Sequence, residues 1–204
     1  MTGGPRDLEW RRISRNTEIA VGEVAPYGKV FFKRGALINA LELDEHIAAF
    51  NLLNKITDKI EGAMSPAIIT QLCDGDVIAL ELVSEKSFHD LWSDSDYPEQ
   101  NILRDITCLY EWLRKFHVAT EDYTGQPPYC YGDFGPKNLI SLDNERVAFI
   151  DPPQKFCRKD VYFDFGTLIF EIERSLIQAS RFSLVWKNRR LAQRWVGSNK
   201  TGYS

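Results

Sequence analysis

Three polar side chains between residues 133 and 151 could together transfer a phosphoryl group. Asp133 and Asn138 form a D-x-x-x-x-N pattern on one short predicted loop, and Asp151 follows the apolar segment 147–150. A carboxylate can orient an attacking hydroxyl and accept its proton, whereas an asparagine and a second aspartate offer oxygen ligands for the Mg²⁺ on nucleotide phosphates. Asp and Asn are common residues, so the pattern alone is a weak indication of this chemistry.

The neighbouring residues make the pattern more specific. The chain reads Y-G-D at 131–133 and F-I-D at 149–151, and its two aspartates are 18 positions apart. This resembles the protein-kinase-like superfamily, in the branch of aminoglycoside phosphotransferases and small-molecule and lipopolysaccharide kinases, where H-G-D-x-x-x-x-N precedes a strand ending in Ile-Asp. Tyr131 replaces the usual histidine. The resemblance implies that Asp133 is the catalytic base and that Asn138 and Asp151 bind Mg²⁺.

The tripeptide Asp-Phe-Gly, which carries a metal-binding aspartate in protein kinases, occurs twice, at 133–135 and at 164–166. The first copy falls inside the catalytic loop, and the second lies too far along the chain to supply the metal ligand. By resemblance, Asp164 is a structural carboxylate that braces the catalytic loop, and His117 ends the helix that precedes this loop. Neither copy is therefore expected to be the metal-binding motif.

The same resemblance implies a nucleotide site in the first part of the chain. Lys33 ends the apolar run "KVFFK", where the superfamily keeps the lysine that contacts the α- and β-phosphates. Glu45, near the start of the next predicted helix, is the expected partner of this lysine, and Glu42 is a second candidate. The implied cofactors are ATP and Mg²⁺. The full set of nucleotide-binding residues expected from the resemblance is Lys33, Glu45, the glycine-poor turn Ser14, Arg15 and Asn16, and the backbone near Glu81 and Val83.

The elements that must position these residues can be predicted from periodicity. The segments "TEIAVGEV" and "KVFFKR" flank a Pro-Gly turn and predict a hairpin, and residues 67–83 predict two strands joined by Asp-Gly-Asp. Helical spacing of apolar residues predicts one helix over 42–56 and another over 98–119. We therefore expect an α+β, two-lobed protein-kinase-like fold. Its N-lobe, residues 1–83, is a small antiparallel sheet with one helix, and its reduced C-lobe, residues 84–204, is mainly helical.

Composition limits the other function classes. The 204 residues are 44% hydrophobic and carry a net charge of −4, with no apolar run near the ~18 residues that span a membrane. The start of the chain lacks the apolar core of a signal peptide, so we expect a cytoplasmic protein. Four widely spaced cysteines form no C-x-x-C pair, which argues against a zinc site or a disulfide framework.

The end of the chain is basic. Residues 174–204 contain seven Lys or Arg and no Asp or Glu, whereas the rest of the chain has 18 bases against 29 acids. This segment is expected to form a basic helix that packs against the acidic body. A peripheral contact with an anionic membrane surface is the alternative, and no nucleic acid is expected as a partner.

The phosphate acceptor is the least defined part of the prediction. Only 15 residues separate His117 from Asp133, where antibiotic and choline kinases typically insert substrate-binding helices. A sugar or another small molecule, including a core sugar of lipopolysaccharide, is the favoured hydroxyl acceptor. The alternatives are a compact Ser/Thr-type protein kinase and a nucleotide-binding pseudokinase.

Overall fold

Short strands and longer helices alternate along the chain in the computed structural model, which describes residues 8–12, 17–35, 40–69, 72, 77–83, 85–121, 127–143, 146–153, 156–159 and 161–199. The strands are β1 Arg11–Arg12, β2 Thr17–Val24, β3 Gly28–Gly35, β4 Ala63–Met64, β5 Val77–Glu81, β6 Tyr129–Cys130, β7 Leu139–Ser141, β8 Val147–Phe149 and β9 Cys157–Arg158. The helices are α1 Ala40–Thr57, α2 Phe88–Ser93, α3 Glu99–Thr120, α4 Val161–Gln178 and α5 Phe182–Asn199. A small antiparallel sheet together with several helices confirms the predicted α+β class.

The predicted hairpin forms the centre of this sheet. Strands β2 and β3 pair along their whole lengths on either side of a turn at residues 25–27, and the sheet order is β1-β2-β3-β5, all antiparallel. Because side chains alternate between the two faces of a strand, Ala20, Val30 and Phe32 are buried on one face. The opposite face carries Phe31 and Lys33. The register therefore sets which residues can reach a ligand on that face.

Only one of the two strands predicted for residues 67–83 has full length. Strand β5 is present and pairs with β3. The first predicted strand is reduced to an isolated bridge between Ile68 and Leu80, supported by the hydrogen bond from Ile69 N to Ala79 O (2.8 Å). The Asp-Gly-Asp link at 74–76 lies outside the described residues.

Helix α1 shares a core with the later helices. Its buried residues Leu53 and Ile56 belong to the same apolar cluster as Leu109 and Leu113 of α3. A second connection joins the two halves of the chain where β4 pairs in parallel with β8. The helices predicted over 42–56 and 98–119 are both confirmed, and the division of the sequence at residue 83 stays a prediction.

Residues 182–199 of the basic segment form α5, as predicted, whereas residues 174–178 belong to the end of α4. Leu184 and Ala192 are buried among α5, α3 and α4, and the buried Tyr110 hydroxyl donates to Asn188 Oδ1 (3.0 Å). An ion pair between Arg189 and Glu173 (2.7 Å) ties α5 to α4. The packing of a basic helix on the acidic body is thus confirmed.

In the part of the chain that the structure describes, two expectations about membrane spans and cysteines can be compared with the structure. None of its helices is both long enough and apolar enough to cross a membrane. Its cysteines, Cys108, Cys130 and Cys157, are not joined in disulfides.

Candidate functional site

A cavity of about 490 Å³ lies between the β2-β3-β5 face and the loops around β7 and β8. Its walls are apolar where Val21, Phe31 and Leu80 of the sheet lie opposite Ile140 and Ile150. The same cavity has a polar end that carries the side chains predicted to handle phosphate. An apolar slot with a few convergent polar groups is the usual form of a small-molecule site.

Lys33 and Asp151 meet at the polar end. The Lys33 ammonium donates to both carboxylate oxygens of Asp151, at 2.9 and 3.0 Å, and both residues line the cavity. The two residues are 118 positions apart in the sequence. This ion pair brings the predicted phosphate-binding lysine and the predicted metal ligand into direct contact.

Asn138 connects this end of the cavity to Asp133. Its Nδ2 donates to the main-chain oxygen and to Oδ2 of Asp133, both at 2.8 Å, while the residue itself lines the cavity next to Asp151. The Asn138 main-chain oxygen accepts from Ile150 N (3.0 Å), which fixes Asn138 beside the start of the Asp151 loop. Both hydrogen bonds to Asp133 use Nδ2, so they leave the amide oxygen Oδ1 available as a metal ligand.

Asp133 is exposed and does not line the cavity, so its carboxylate can be reached from solvent. The pKa of this carboxyl is raised above its ordinary value, mainly by desolvation, and the negative charges of Glu171 and Asp151 raise it further. The hydrogen bond from Asn138 and the charge of Arg174 act in the opposite direction. A raised pKa makes the carboxylate a better proton acceptor than a free aspartate.

A fully buried carboxylate holds the main chain just before Asp133. Asp164, in the first turn of α4, accepts from Tyr131 N and Gly132 N, each at 2.8 Å. His117 Nε2 lies 2.8 Å from the same carboxylate, and both side chains are buried. The contacts agree with the bracing role expected for Asp164. The aspartate of the second Asp-Phe-Gly copy therefore holds the main chain of the loop that carries Asp133.

Glycine is required at two positions of this loop. Gly132 has φ +81°, a left-handed conformation that a side chain disfavours, and its N–H points to Asp164. At Gly135 a Cβ atom would lie 2.8 Å from Cβ of Glu171, because the loop packs directly against α4. The two glycines allow the loop to turn and to approach the helix.

Tyr131 stands at the position where the sequence resemblance leads one to expect histidine. Its ring is fully buried and packs against Phe116, Phe134 and Phe149. Burial raises the pKa of the Tyr131 phenol well above 10, and nearby carboxylates add to the effect. The phenol is therefore neutral, and the buried ring supports the loop by packing against the aromatic core.

The remaining predicted nucleotide-binding residues have different outcomes. Glu81 and Val83 line the cavity. Glu45 is exposed on α1, and its pairing with Lys33 stays a prediction, since the ion pair described for Lys33 is the one with Asp151. The turn formed by Ser14, Arg15 and Asn16 lies outside the described residues, as does the side chain of Glu42.

Three charged residues near the site escaped the sequence prediction. Lys137 lines the cavity beside Asn138. Glu171 and Arg174 form an ion pair on α4 (3.1 Å), and both charges act on the pKa of Asp133. Glu171 follows Asp164 by seven residues, two helical turns, so the helical period could have identified it once Asp164 was assigned to the loop.

Comparison of the chain with models of known protein families and with curated protein sequences finds no match. A function for this site must therefore be argued from its own contacts. The relevant ones join Lys33 to Asp151, Asn138 to Asp133, and Asp164 to the main chain between residues 131 and 132.

Proposed function

We propose that the chain is an ATP- and Mg²⁺-dependent phosphotransferase with a two-lobed protein-kinase-like fold, which moves the γ-phosphate of ATP to a hydroxyl group. The observation that carries this proposal is the convergence of Lys33, Asn138 and Asp151 at one end of an otherwise apolar cavity, with Asp133 hydrogen-bonded to Asn138. Phosphoryl transfer depends mainly on positioning and charge neutralisation, and this group of residues supplies both.

Each residue has a defined task in this proposal. The adenine ring would occupy the apolar slot beside the backbone of residues 81–83, and Lys33 would contact the phosphates. The Asp133 carboxylate would orient the acceptor hydroxyl from the solvent side and take its proton as the oxygen attacks the γ-phosphorus. The bond between the γ-phosphorus and the β,γ-bridging oxygen breaks, and ADP leaves.

The residues present fit a magnesium ion. Mg²⁺ prefers oxygen ligands and is usually held in nucleotide sites by one or two protein groups together with phosphates and water. The Asp151 carboxylate and the Asn138 amide oxygen line the same end of the cavity and would hold it. An ion bound there would neutralise charge on the β- and γ-phosphates.

The acceptor is proposed to be a hydroxyl of a sugar or another small molecule, including a core sugar of lipopolysaccharide. Asp133 is exposed, so an acceptor can approach it without entering the apolar slot. Nucleotide and acceptor would then meet at the residues around Asn138 from opposite directions.

The proposal is tested with purified protein and labelled ATP. We expect Mg·ATP to raise the melting temperature of the full chain, and label from [γ-³²P]ATP to enter the small-molecule or glycolipid fraction of a cell extract. Label in the protein fraction would instead indicate a Ser/Thr-type protein kinase. A thermal shift without transfer would indicate a pseudokinase, and the absence of both effects would refute the proposal.

The raised pKa of Asp133 predicts a specific pH dependence. Since the base acts in its ionised form, kcat/KM should fall as the pH drops below this pKa, and the fall should begin at a higher pH than for an ordinary aspartate. Glu171→Gln removes a negative charge that raises this pKa, so we expect the acidic limb of the profile to move to lower pH.

The matched control for this experiment is Glu173→Gln. It also removes one carboxylate and one ion pair from α4, but Glu173 is not among the groups that shift the pKa of Asp133. Its acidic limb should coincide with that of the wild type. Equal profiles for the wild type and Glu171→Gln would argue against Asp133 as the titrating base.

A further inference from the structure

The outward side of α5 carries two large aromatic side chains. Phe182 is 62% exposed and Trp186 is 69% exposed, while Leu184 and Ala192 on the other side of the helix are buried. Residues four apart lie on one face of a helix, so the two aromatic rings are neighbours. The burial of apolar side chains of this size away from water is favourable, and more than half of each side chain is exposed to solvent.

Three cations lie beside these rings. Lys187, Arg190 and Arg194 line a shallow groove of about 250 Å³ between α5 and α3. Their spacing of three and then four residues places them on one face of α5. Among the described residues that line this groove there is no carboxylate, and the carboxylate of Glu99, which accepts from Ser183 Oγ, lies 3.8 Å from Lys187. The groove thus concentrates positive charge.

Further exposed apolar side chains lie on the adjoining side of α4. The guanidinium of Arg189 lies 5.3 Å from the centre of the Trp186 ring and is paired with Glu173 of α4. Phe170 and Ile177 stand three residues before and four residues after Glu173, and both are exposed. The Glu173–Arg189 pair therefore joins the outer sides of the two helices into one surface. We refer to Phe170, Ile177, Phe182, Trp186, Lys187, Arg190 and Arg194 as the aromatic-basic face.

We propose that the aromatic-basic face docks on an anionic membrane surface. Helices that lie in the lipid interface combine Lys and Arg with Trp, Phe and Leu, so that the cations meet lipid phosphates while the apolar side chains enter the boundary between headgroups and acyl chains. A soluble phosphate compound would use the cations of the groove but would leave the exposed rings in water. The combination favours a lipid surface and is independent of the proposed phosphotransfer.

The full chain should co-sediment with vesicles containing phosphatidylserine and not with vesicles of phosphatidylcholine alone. Binding should weaken as salt is added, because the attraction to anionic lipid is screened. Trp186 is exposed, whereas the other four tryptophans are buried or half-buried, so its entry into the interface should shift the fluorescence maximum to shorter wavelength. Replacement of Trp186 by Ser should remove this shift and weaken binding.

The decisive variant is Arg190→Gln/Arg194→Gln. Each basic residue near such a surface contributes about 1 kcal/mol, so loss of both should weaken vesicle binding by about 30-fold. Lys55→Gln/Lys59→Gln removes the same charge from exposed positions in the last turn of α1 and just after it, and should bind like the wild type. The proposal would be overturned if the two double variants bound anionic vesicles equally well. It would also be overturned if the wild type bound neutral vesicles as well as anionic ones. Two other outcomes would also overturn it. In the first, the protein forms a dimer and does not bind vesicles; in the second, it binds nucleic acid in a salt-sensitive way and does not bind vesicles.

Discussion

Replacing Asp133 by asparagine is expected to lower kcat for phosphoryl transfer by about 10²- to 10⁴-fold, the usual contribution of a general base. Asparagine has nearly the same shape and can still accept the hydrogen bond from Asn138 Nδ2, but it cannot take a proton from the acceptor hydroxyl. Asp133 does not line the cavity that is proposed to bind the nucleotide. The dissociation constant for Mg·ATP should therefore change little, and the loss should appear in kcat.

Two comparisons make this result specific. Asp151→Asn removes the negative charge at a residue that does line the cavity, so it should weaken Mg·ATP binding as well as transfer. Asp58→Asn removes a carboxylate from an exposed position just after α1 and should leave both quantities unchanged. Single-turnover transfer and a titration of nucleotide binding measure the two effects separately. Transfer by Asp133→Asn at the rate of Asp58→Asn would exclude the role as base.

The features that the sequence predicted well are those set by local patterns. The hairpin follows from alternating apolar residues around a Pro-Gly turn, and α1 and α3 follow from their helical spacing. The closeness of Asn138 to Asp133 also follows from local spacing, because one tight loop carries both residues, and the short strands β7 and β8 lead from this loop to Asp151. The bracing role of Asp164 was expected from the family resemblance, and its distance from Asp133 served only to exclude it as the metal ligand.

The features that the sequence did not predict depend on how distant elements pack. The contact between Lys33 and Asp151 needs the sheet to lie over the loops around β7 and β8, and no local pattern contains that arrangement. The same holds for α5, where Val185 and Trp195 turn towards the core while Phe182 and Trp186 face outward. The elements that pack against a helix fix its rotation about its axis. The sequence of α5 alone therefore does not show which of its apolar residues face the core and which face the solvent.

The largest loss of stability is expected from Asp164→Asn. Asp164 is fully buried, and its two oxygens accept from Tyr131 N, Gly132 N and His117 Nε2. An asparagine can present only one oxygen, so its NH₂ group must face at least one of these N–H donors. A buried donor without an acceptor costs about 1–3 kcal/mol, and together with the repulsion between donors we expect the free energy of unfolding to fall by about 3 kcal/mol.

Urea denaturation of the wild type and three variants tests this expectation. His117→Gln keeps an N–H donor near the position of Nε2 and leaves both main-chain donors to Asp164, so it should cost less than Asp164→Asn. Asp58→Asn, at an exposed position, should lie within about 0.5 kcal/mol of the wild type. Because Asp164 also fixes the main chain next to Asp133, folded Asp164→Asn should have a lower kcat with a nearly unchanged affinity for Mg·ATP. Wild-type stability in Asp164→Asn would mean that this carboxylate does not hold the loop.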